Sequence, residues 1–456
     1  MKLKRIAVLG STGSIGKSTL EIIKKDKKNF NVVLLSANNN YAKLIQQAKD
    51  FKAKNVIINN KKFYQIVKNS LKNYNTKVYA GDIPLSNIIS KKIDYTMSAI
   101  VGIAGLQPTV DAIKFSKTVA IANKESIICG WTIIKKYIKK YKTKVYTGDV
   151  PISKIITKKI DYTMAAIVGI AGLQPTIDAI KISKTVALAN KESIICGWDI
   201  LSKFVKKHKT EILPVDSEHF SILELTKEVN DDEIEEIIIT ASGGPFLNMP
   251  KKKHKYVSPN QAIKHPKWKM GKKISVDSAN LMNKVFEVIE ASKIFKFHNN
   301  KYRIMIHPQS YVHSIIRFKN GLIKMILYNT DMKIPISNTL YGKKTHIAKT
   351  KKIDTKILSK LNFENVNINK FPSIKLIKKC LTNGDLAPTL VNASNEVLVS
   401  LFLSKKIGFL SIVETITKLF RDKDFKKYAR RKPVSLKDIK MADNWARLKT
   451  TAMCVR

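Results

Sequence analysis

The feature that most constrains the fold is a segment of 67 residues that occurs twice in succession. The first copy spans residues 77–143 and the second copy spans residues 144–210. Each copy holds a strand, a glycine turn and a helix (AIVGIAGLQPT), then a strand that runs into Asn-Lys-Glu. The near-identity indicates a recent tandem duplication, and two copies are too few for a repeat array. The segment therefore has the pattern of one half of an α/β sheet, present twice.

The amino-terminal residues predict the first half of the same α/β sheet. Residues 4–9 (KRIAVL) have the pattern of a buried parallel strand, followed by Gly10-Ser-Thr-Gly13-Ser-Ile-Gly16 and a helix. Glycines allow close backbone approach, and a helix N-terminus favours an anion, so this arrangement predicts a dinucleotide phosphate site. The alternative is a tight turn that merely needs glycine. Strands at 31–37 and 55–59 continue the alternation of a doubly wound sheet.

A doubly wound sheet has one place for the duplicated segment. We therefore expect one copy to complete the sheet and the other to be extruded or loosely packed. The second copy continues directly into PVDSEH, so we assign function to Asn190, Lys191 and Glu192 and regard Asn123, Lys124 and Glu125 as redundant. A hybrid sheet with strands from both copies stays open.

The strand at 31–37 ends in Asn38-Asn39-Asn40, where such sheets meet the adenosine ribose of a dinucleotide. Neither arginine nor lysine follows directly to take a 2′-phosphate. These residues alone therefore do not choose between NADP and NAD.

Acidic residues predict a metal site. Asp216 and Glu218 lie two apart and share a face if the segment is extended, while Glu287 has helical spacing to Asn283 and Lys284. Three carboxylates supply the hard oxygens that Mg²⁺ or Mn²⁺ prefers. Hydroxyl, amide and ammonium donors beside them, which suit a phosphorylated polyol, are Ser217, Ser278, Asn283 and Lys284. The alternative is a solvated turn and a water-facing helix.

Three further segments carry candidate functional residues. Ser242-Gly-Gly follows a strand and predicts either a phosphate cradle or a plain turn. Residues 259–272 predict a mobile flap, with His265 and with Trp268 as an aromatic lid. His307 and His313 have no third soft ligand in the sequence pattern, which favours core or interface histidines.

The composition is basic, with a formal net charge of +48. A nucleic-acid partner would explain this positive charge. The excess of basic residues is nearly all lysine, however, and is spread along the whole chain, which favours a generally lysine-rich composition instead. The four cysteines form no C-x-x-C pair, and no apolar run reaches the roughly 18 residues of a membrane span. We expect a cytoplasmic protein with no specific nucleic-acid partner and no membrane association.

These patterns predict an α/β chain in several domains. The prediction is an N-terminal Rossmann-like domain over 1–213, an α+β catalytic domain over 214–344, a linker over 345–370 and a helical domain over 371–456.

The motifs together resemble one family along essentially the whole chain, 1-deoxy-D-xylulose 5-phosphate reductoisomerase. The residues that carry the resemblance are GSTGSIG, MAAIVGIAGL, LANKES, PVDSEH, ASGGPF, KHPKWKMGKKISVDSANLMNK, IHPQSYVHS, NASNEV and SLKDIKMADNWAR. Removing one copy from the 456 residues leaves 389, a typical length for this family.

The resemblance implies a homodimeric, NADPH-dependent enzyme with a divalent cation, which rearranges and reduces a keto-sugar phosphate for isoprenoid synthesis. The implied metal ligands are Asp216, Glu218 and Glu287. Implied substrate contacts are Lys191, Ser217, Glu218, Ser242, His265, Trp268, Ser278, Asn283, Lys284 and Glu287. Implied cofactor contacts are Gly10, Thr12, Gly13, Ser14, Ile15, Asn40, Asn190, Glu192 and Gly271. Lys191 and His265 are the implied catalytic residues beside the metal ligands.

The implied chemistry is a retro-aldol cleavage and re-aldolisation, followed by hydride transfer from NADPH to the resulting aldehyde. The product would be 2-C-methyl-D-erythritol 4-phosphate. Two alternatives stay open from the sequence: a degenerate, non-catalytic relative disabled by the duplication, and a lysine-rich nucleic-acid-binding module.

Overall fold

The computed structural model of the chain describes residues 3–147, 156, 158–264, 271–295, 297–342 and 353–454. Contacts divide the chain into two compact units, Met1–Val150 and Pro151–Arg456. The sequence-based boundary at 213 differs from this division, because most of the second copy belongs to the second unit. The finer division into domains over 214–344 and 371–456 with a linker at 345–370 stays a prediction. None of the described helices has the length and apolar character that a membrane span requires.

The first unit is a parallel sheet with helices between its strands. Its strands are β1 (Lys4–Leu9), β2 (Phe30–Ala37), β3 (Asn55–Ile58), β4 (Lys77–Ala80), β5 (Ile93–Ser98), β6 (Ser116–Ile121) and β7 (Lys144–Thr147). Its helices are α1 (Ser14–Lys25), α2 (Tyr41–Phe51), α3 (Tyr64–Ser70), α4 (Leu106–Phe115) and α5 (Lys124–Tyr141). The strand order is β4-β3-β2-β1-β5-β6-β7, with every pair parallel.

Both faces of this sheet are buried. Ile6 and Val8 of β1 belong to one apolar cluster, whereas Ala7 and Leu9 belong to another. Successive side chains of a strand point to opposite faces, so the two clusters lie on the two faces of the sheet. A parallel sheet buried on both faces is the doubly wound arrangement, which confirms the predicted Rossmann-like fold.

The second unit contains two sheets and the remaining helices. A three-stranded parallel sheet consists of β8 (Ile160–Ala165), β9 (Ser183–Leu188) and β10 (Glu211–Pro214), in that order. A mixed sheet has the order β14-β13-β11-β12-β15, where β11 is Ile234–Ala241, β12 is Tyr302–Ile306, β13 is Val312–Phe318, β14 is Ile323–Leu327 and β15 is Glu364–Asn365. The helices are α6 (Leu173–Ile182), α7 (Lys191–His208), α8 (Ser217–Leu225), α9 (Pro259–Ala262), α10 (Lys272–Ala279), α11 (Met282–Ile294), α12 (Lys333–Tyr341), α13 (Leu376–Thr382), α14 (Ala387–Leu403), α15 (Phe409–Leu419), α16 (Phe425–Ala429) and α17 (Leu436–Cys454).

The first copy lies in the first unit, whereas most of the second copy lies in the second unit. The first copy supplies β4, β5 and β6 and thus completes the N-terminal sheet. The first strand of the second copy, β7, extends the same sheet at its edge beside β6. The sheet is therefore the hybrid that the sequence left open, although only one strand comes from the second copy.

The described remainder of the second copy, residues 158–210, is neither extruded nor loosely packed, so that prediction was wrong. Its helix α7 places Ile194, Ile195 and Leu201 in the largest apolar cluster of the second unit. The same cluster includes residues of α11, α14 and α17, such as Phe286 and Leu390. The second copy folds because the C-terminal helices cover the apolar face that it brings.

Candidate active site

The acidic motif is positioned by the end of the second copy's sheet. Strand β10 ends at Pro214, and Asp216 then occupies the N-cap position of α8, although its side chain makes no capping hydrogen bond. The motif is therefore a helix N-terminus and not the extended segment that the i, i+2 argument assumed. Asp216 at the N-cap position and Glu218 in the first turn both lie at the N-terminal end of this one helix.

The three predicted carboxylates converge. One oxygen each from Asp216, Glu218 and Glu287 lies within 4.8 Å of the others. Glu287 is on α11, and its side chain is only 1% exposed. Carboxylate oxygens at this spacing fit a hard divalent cation, which would also balance their charge. The donor set of the site thus matches the metal that the sequence predicts.

Two lysines join the carboxylate cluster. The Lys191 Nζ lies 3.0 Å from the Asp216 carboxylate and donates to Asn283 Oδ1 at 2.9 Å. The Lys284 Nζ pairs with Glu218 and lies 2.7 Å from Glu287. Of the two Asn-Lys-Glu segments, the one beside Asp216 is therefore that of the second copy, as the sequence analysis expected.

Burial and neighbouring charges set the pKa values in this cluster. Burial raises the pKa of Glu287 to about 8, and the nearby Glu218 carboxylate adds to the rise. Burial would raise the pKa of Asp216 as well, but the Lys191 and His219 charges lower it to well below its usual range. Burial would lower the pKa of Lys191 and of Lys284, but the adjacent carboxylates raise both. Asp216 and the two lysines are therefore charged at neutral pH.

Residues that the sequence analysis did not assign support this cluster. The His219 Nε2–H donates to the Glu287 carbonyl at 2.8 Å, and Glu290 lies 3.5 Å from the other ring nitrogen. The Tyr328 hydroxyl donates to the Ser217 carbonyl at 2.7 Å. Helical spacing from Glu287 was a signal for Glu290, whereas no local pattern points to Tyr328, which lies 111 residues from Ser217.

Two other predicted substrate residues lie close to each other. The turn at Ser242 follows β11, and its Gly244 N–H donates to Ser242 Oγ at 3.2 Å. A Cβ on Gly244 would meet the Ser278 carbonyl oxygen at 2.7 Å. The turn therefore packs directly against Ser278, and only glycine fits there. His265 and Trp268 of the predicted flap lie outside the described residues.

The remaining histidine candidates are structural. His307 Nδ1–H donates to the Asn362 carbonyl at 2.9 Å, and its Nε2 accepts from Tyr311 N–H. His313 is buried and stacks on Tyr328 with ring centroids 4.2 Å apart. Both are core residues, which is the interpretation that the sequence favoured.

The glycine loop lies in the first unit, at the carboxyl end of β1. Gly13, Ser14 and Ile15 are exposed, and Thr12 is half-buried. Helix α1 begins at Ser14 and has no acidic residue in its first turn. An exposed helix N-terminus without a competing carboxylate fits a dinucleotide pyrophosphate.

The other predicted cofactor residues have local partners. Asn40 caps α2 and accepts from Lys43 N–H at 3.1 Å. In the second unit, Asn190 caps α7, while Glu192 Oε2 accepts from Gly169 N–H at 3.4 Å. Gly271 is the N-cap of α10.

A doubly wound sheet with a glycine loop, together with three convergent carboxylates and two lysines, is typical of a nicotinamide-dependent enzyme that also uses a divalent cation. Comparison with known families is more specific. The model of 1-deoxy-D-xylulose 5-phosphate reductoisomerase matches residues 6–130 and 132–197, its C-terminal domain matches 212–295, and a DXP reductoisomerase C-terminal domain matches 327–449. The chain belongs to the 1-deoxy-D-xylulose 5-phosphate reductoisomerase family.

Individual relatives agree with this assignment. The chain is 40% identical over 455 residues to the enzyme of Pelagibacter ubique (strain HTCC1062), covering 99% of this chain and 100% of the relative. It resembles the solved structure of the Zymomonas mobilis enzyme in complex with NADPH at 32% identity and a TM-score of 0.60, with 99% of each chain covered. A structure of DOX-P reductoisomerase with NADPH, fosmidomycin and magnesium gives 27% identity and a TM-score of 0.62, with 99% of this chain and 98% of that chain covered.

Proposed function

We propose that the chain converts 1-deoxy-D-xylulose 5-phosphate into 2-C-methyl-D-erythritol 4-phosphate with NADPH, in the non-mevalonate route to isoprenoid precursors. Family membership over 99% of the chain supports the reaction. NADPH and magnesium in related structures support the cofactors. The observation that carries the proposal is the convergence of Asp216, Glu218 and Glu287 within 4.8 Å.

The carboxylates are proposed to hold Mg²⁺ or Mn²⁺. When bound, the cation would act as a Lewis acid on the substrate's carbonyl and hydroxyl oxygens, and the nicotinamide would supply the hydride. Lys191 has a protonated amine 3.0 Å from Asp216, so it stands ready to donate a proton or to stabilise a developing oxyanion there. Asn283 orients this amine by accepting its hydrogen bond.

The hydroxyls are proposed to bind the phosphate end of the substrate. The turn that contains Ser242 packs against Ser278. Ser278 lies on α10, just before the helix that carries Asn283 and Lys284. Donors at a glycine turn suit a phosphate. Binding the phosphate away from the reacting carbons would align the ketone. His265 and Trp268 are proposed as substrate contacts of the flap from the resemblance alone.

The resemblance also supports a homodimer, and the cysteine and hydropathy patterns of the sequence support a cytoplasmic location; we include both in the proposal. The alternative is a degenerate relative without activity. The presence of all three carboxylates and both lysines at hydrogen-bonding distances favours the active enzyme.

The test is Glu287→Gln, assayed by NADPH oxidation with the keto-sugar phosphate and Mg²⁺. We expect turnover to fall by at least about a hundredfold, because an amide is a poor replacement for an anionic ligand. The fold should survive, since glutamine has the size of glutamate and keeps one side-chain oxygen that can accept from Asn283 or Lys284. Near-normal turnover would remove Glu287 from the metal site.

Glu224→Gln is the matched control. Glu224 lies on α8 and pairs with Lys227 near the surface, 2.6 Å away. We expect its turnover to equal that of the unsubstituted chain. An unsubstituted chain without turnover would favour the degenerate relative.

A further inference from the structure

The sheet of the first unit has one point at which its strand order reverses. Strands β2, β3 and β4 lie on one side of β1, and β5, β6 and β7 lie on the other. Open α/β sheets bind their ligands in the crevice outside the carboxyl ends of the two strands at such a point. Here those strands are β1 and β5, and β5 belongs to the first copy.

The glycine loop and the first copy are in direct contact at this crevice. Ala99 N–H donates to the Leu9 carbonyl at 2.9 Å. A Cβ on Gly10, whose φ is +78°, would meet the Ala99 carbonyl oxygen at 2.6 Å. The loop that follows, residues 99–105, therefore forms the wall opposite the glycine loop.

This wall has an apolar surface open to solvent. Val101 is 81% exposed, and Ile103 is also exposed. Asn123 ties the loop in place by donating to the Gly102 carbonyl at 2.7 Å, and the exposed Glu125 follows in the first turn of α5. An apolar wall with an adjacent carboxylate suits a flat ring joined to a ribose.

The second copy has the same loop at 166–172 but lacks the crevice. Among the described strands of the second unit, β9 is the neighbour of β8, and no strand lies on the other edge of β8. Glu192, which corresponds to Glu125, is buried and lies 3.7 Å from Lys273. Lys191 meanwhile lies at the carboxylate cluster.

We propose that the two copies have different functions, one in cofactor binding and the other at the carboxylate site. The loop at 99–105 and Glu125 of the first copy hold the nicotinamide half of the dinucleotide, while the second copy contributes Lys191 to the carboxylate site. Asn190 and Glu192 then have structural roles, in place of the cofactor contacts that the sequence analysis assigned. This inference rests on the proposed function, because it takes the dinucleotide to be NADPH.

The test is a matched pair of substitutions in the full chain, Val101→Asp and Val168→Asp. The two valines occupy equivalent positions and are 81% and 76% exposed, so neither substitution disturbs a core. NADPH affinity is measured by the fluorescence of the bound nicotinamide. We expect Val101→Asp to weaken binding by about tenfold or more, because it places a carboxylate beside a polyanion, and Val168→Asp to change it less than twofold.

A second pair keeps the result independent of one substitution. Glu125→Gln should weaken NADPH binding about threefold or more, with Glu192→Gln unchanged. Mn²⁺ binding, measured by calorimetry, should be the same in Val101→Asp and the unsubstituted chain. Loss of NADPH affinity in Val168→Asp, or unchanged affinity in Val101→Asp, would overturn the assignment of nicotinamide binding to the first copy. An unsubstituted chain that does not bind NADPH would instead overturn the proposed function.

Discussion

The first copy in one unit and the second copy in the other have nearly the same sequence and the same local structure. Asn123 and Asn190 each cap the helix that follows and accept from a serine N–H, at 2.8 and 2.6 Å. Gly102 and Gly169 open the corresponding turns with φ of +79° and +75°. The strand–turn–helix geometry is therefore encoded within the segment and forms independently of its surroundings.

Burial separates the two copies. Ile128 on α5 is 80% exposed, whereas the equivalent Ile195 on α7 is 0% exposed. Cys129 is exposed and Cys196 is buried. The apolar face of α7 packs into the cluster that α11 and α14 complete, so the same face serves as core in one unit and as surface in the other.

A duplicated segment can thus keep its fold in both places while its functional neighbours differ. The first copy meets the glycine loop, through the pairing of β5 with β1. The second copy meets the carboxylates, because it is followed directly by β10 and Asp216. Sequence position, rather than sequence content, distinguishes the two copies.

The largest expected difference between the copies is at their shared lysine. Lys191→Ala removes the amine that lies 3.0 Å from Asp216 and should lower turnover by at least about a hundredfold. Lys124→Ala, the equivalent change in the first copy, should lower turnover less than threefold. NADPH oxidation measures both, and NADPH affinity should be unchanged in Lys191→Ala. Equal losses of turnover in the two variants would contradict a role in turnover for the second copy's lysine alone.

A smaller difference is expected in stability. Ile195→Ala leaves a cavity in a closed core and should cost about 2–4 kcal/mol of unfolding free energy. Ile128→Ala changes an exposed side chain and should cost less than about 0.5 kcal/mol. Urea unfolding followed by circular dichroism gives both values. A large cost for Ile128→Ala would show that α5 is covered in solution, so that the two faces are alike after all.

Much of this architecture could be predicted from local patterns. The strand at 4–9, the glycine turn and the following helix specify a doubly wound sheet by their order alone. The carboxylates were predicted from residue type and the helical spacing around Glu287. Asp216 and Glu218 do not share a face of an extended segment as predicted, because a helix begins at Ser217.

The placement of the copies could not be predicted in the same way. Nearly identical segments have identical propensities, and the choice depends on contacts with α11 and α14, which lie far along the chain. Tyr328 was missed for the same reason, since its bond to Ser217 joins two distant segments. Such contacts leave no periodic pattern in either partner.

The last prediction concerns a chain that keeps only one copy of the duplicated segment. Deleting residues 77–143 leaves 389 of the 456 residues and removes β4, β5 and β6. Strand β8 (IDYTMA) then is the one remaining segment with the pattern of β5 (IDYTMS), so we expect β1 to pair with it and restore the crevice.

In that shortened chain, Val168 takes the position that Val101 has in the full chain. Val168→Asp should therefore weaken NADPH binding about tenfold in the deletion variant while changing it less than twofold in the full chain. Fluorescence titration with NADPH is carried out on the full chain and the deletion variant, each with and without Val168→Asp, and measures whether the effect of this substitution appears only after the deletion. If the deletion variant binds NADPH with an affinity that Val168→Asp does not alter, the loop after this strand holds no nicotinamide in either copy. If the sensitivity does transfer, the role of each copy is decided by which one β1 reaches, because the residues themselves are the same.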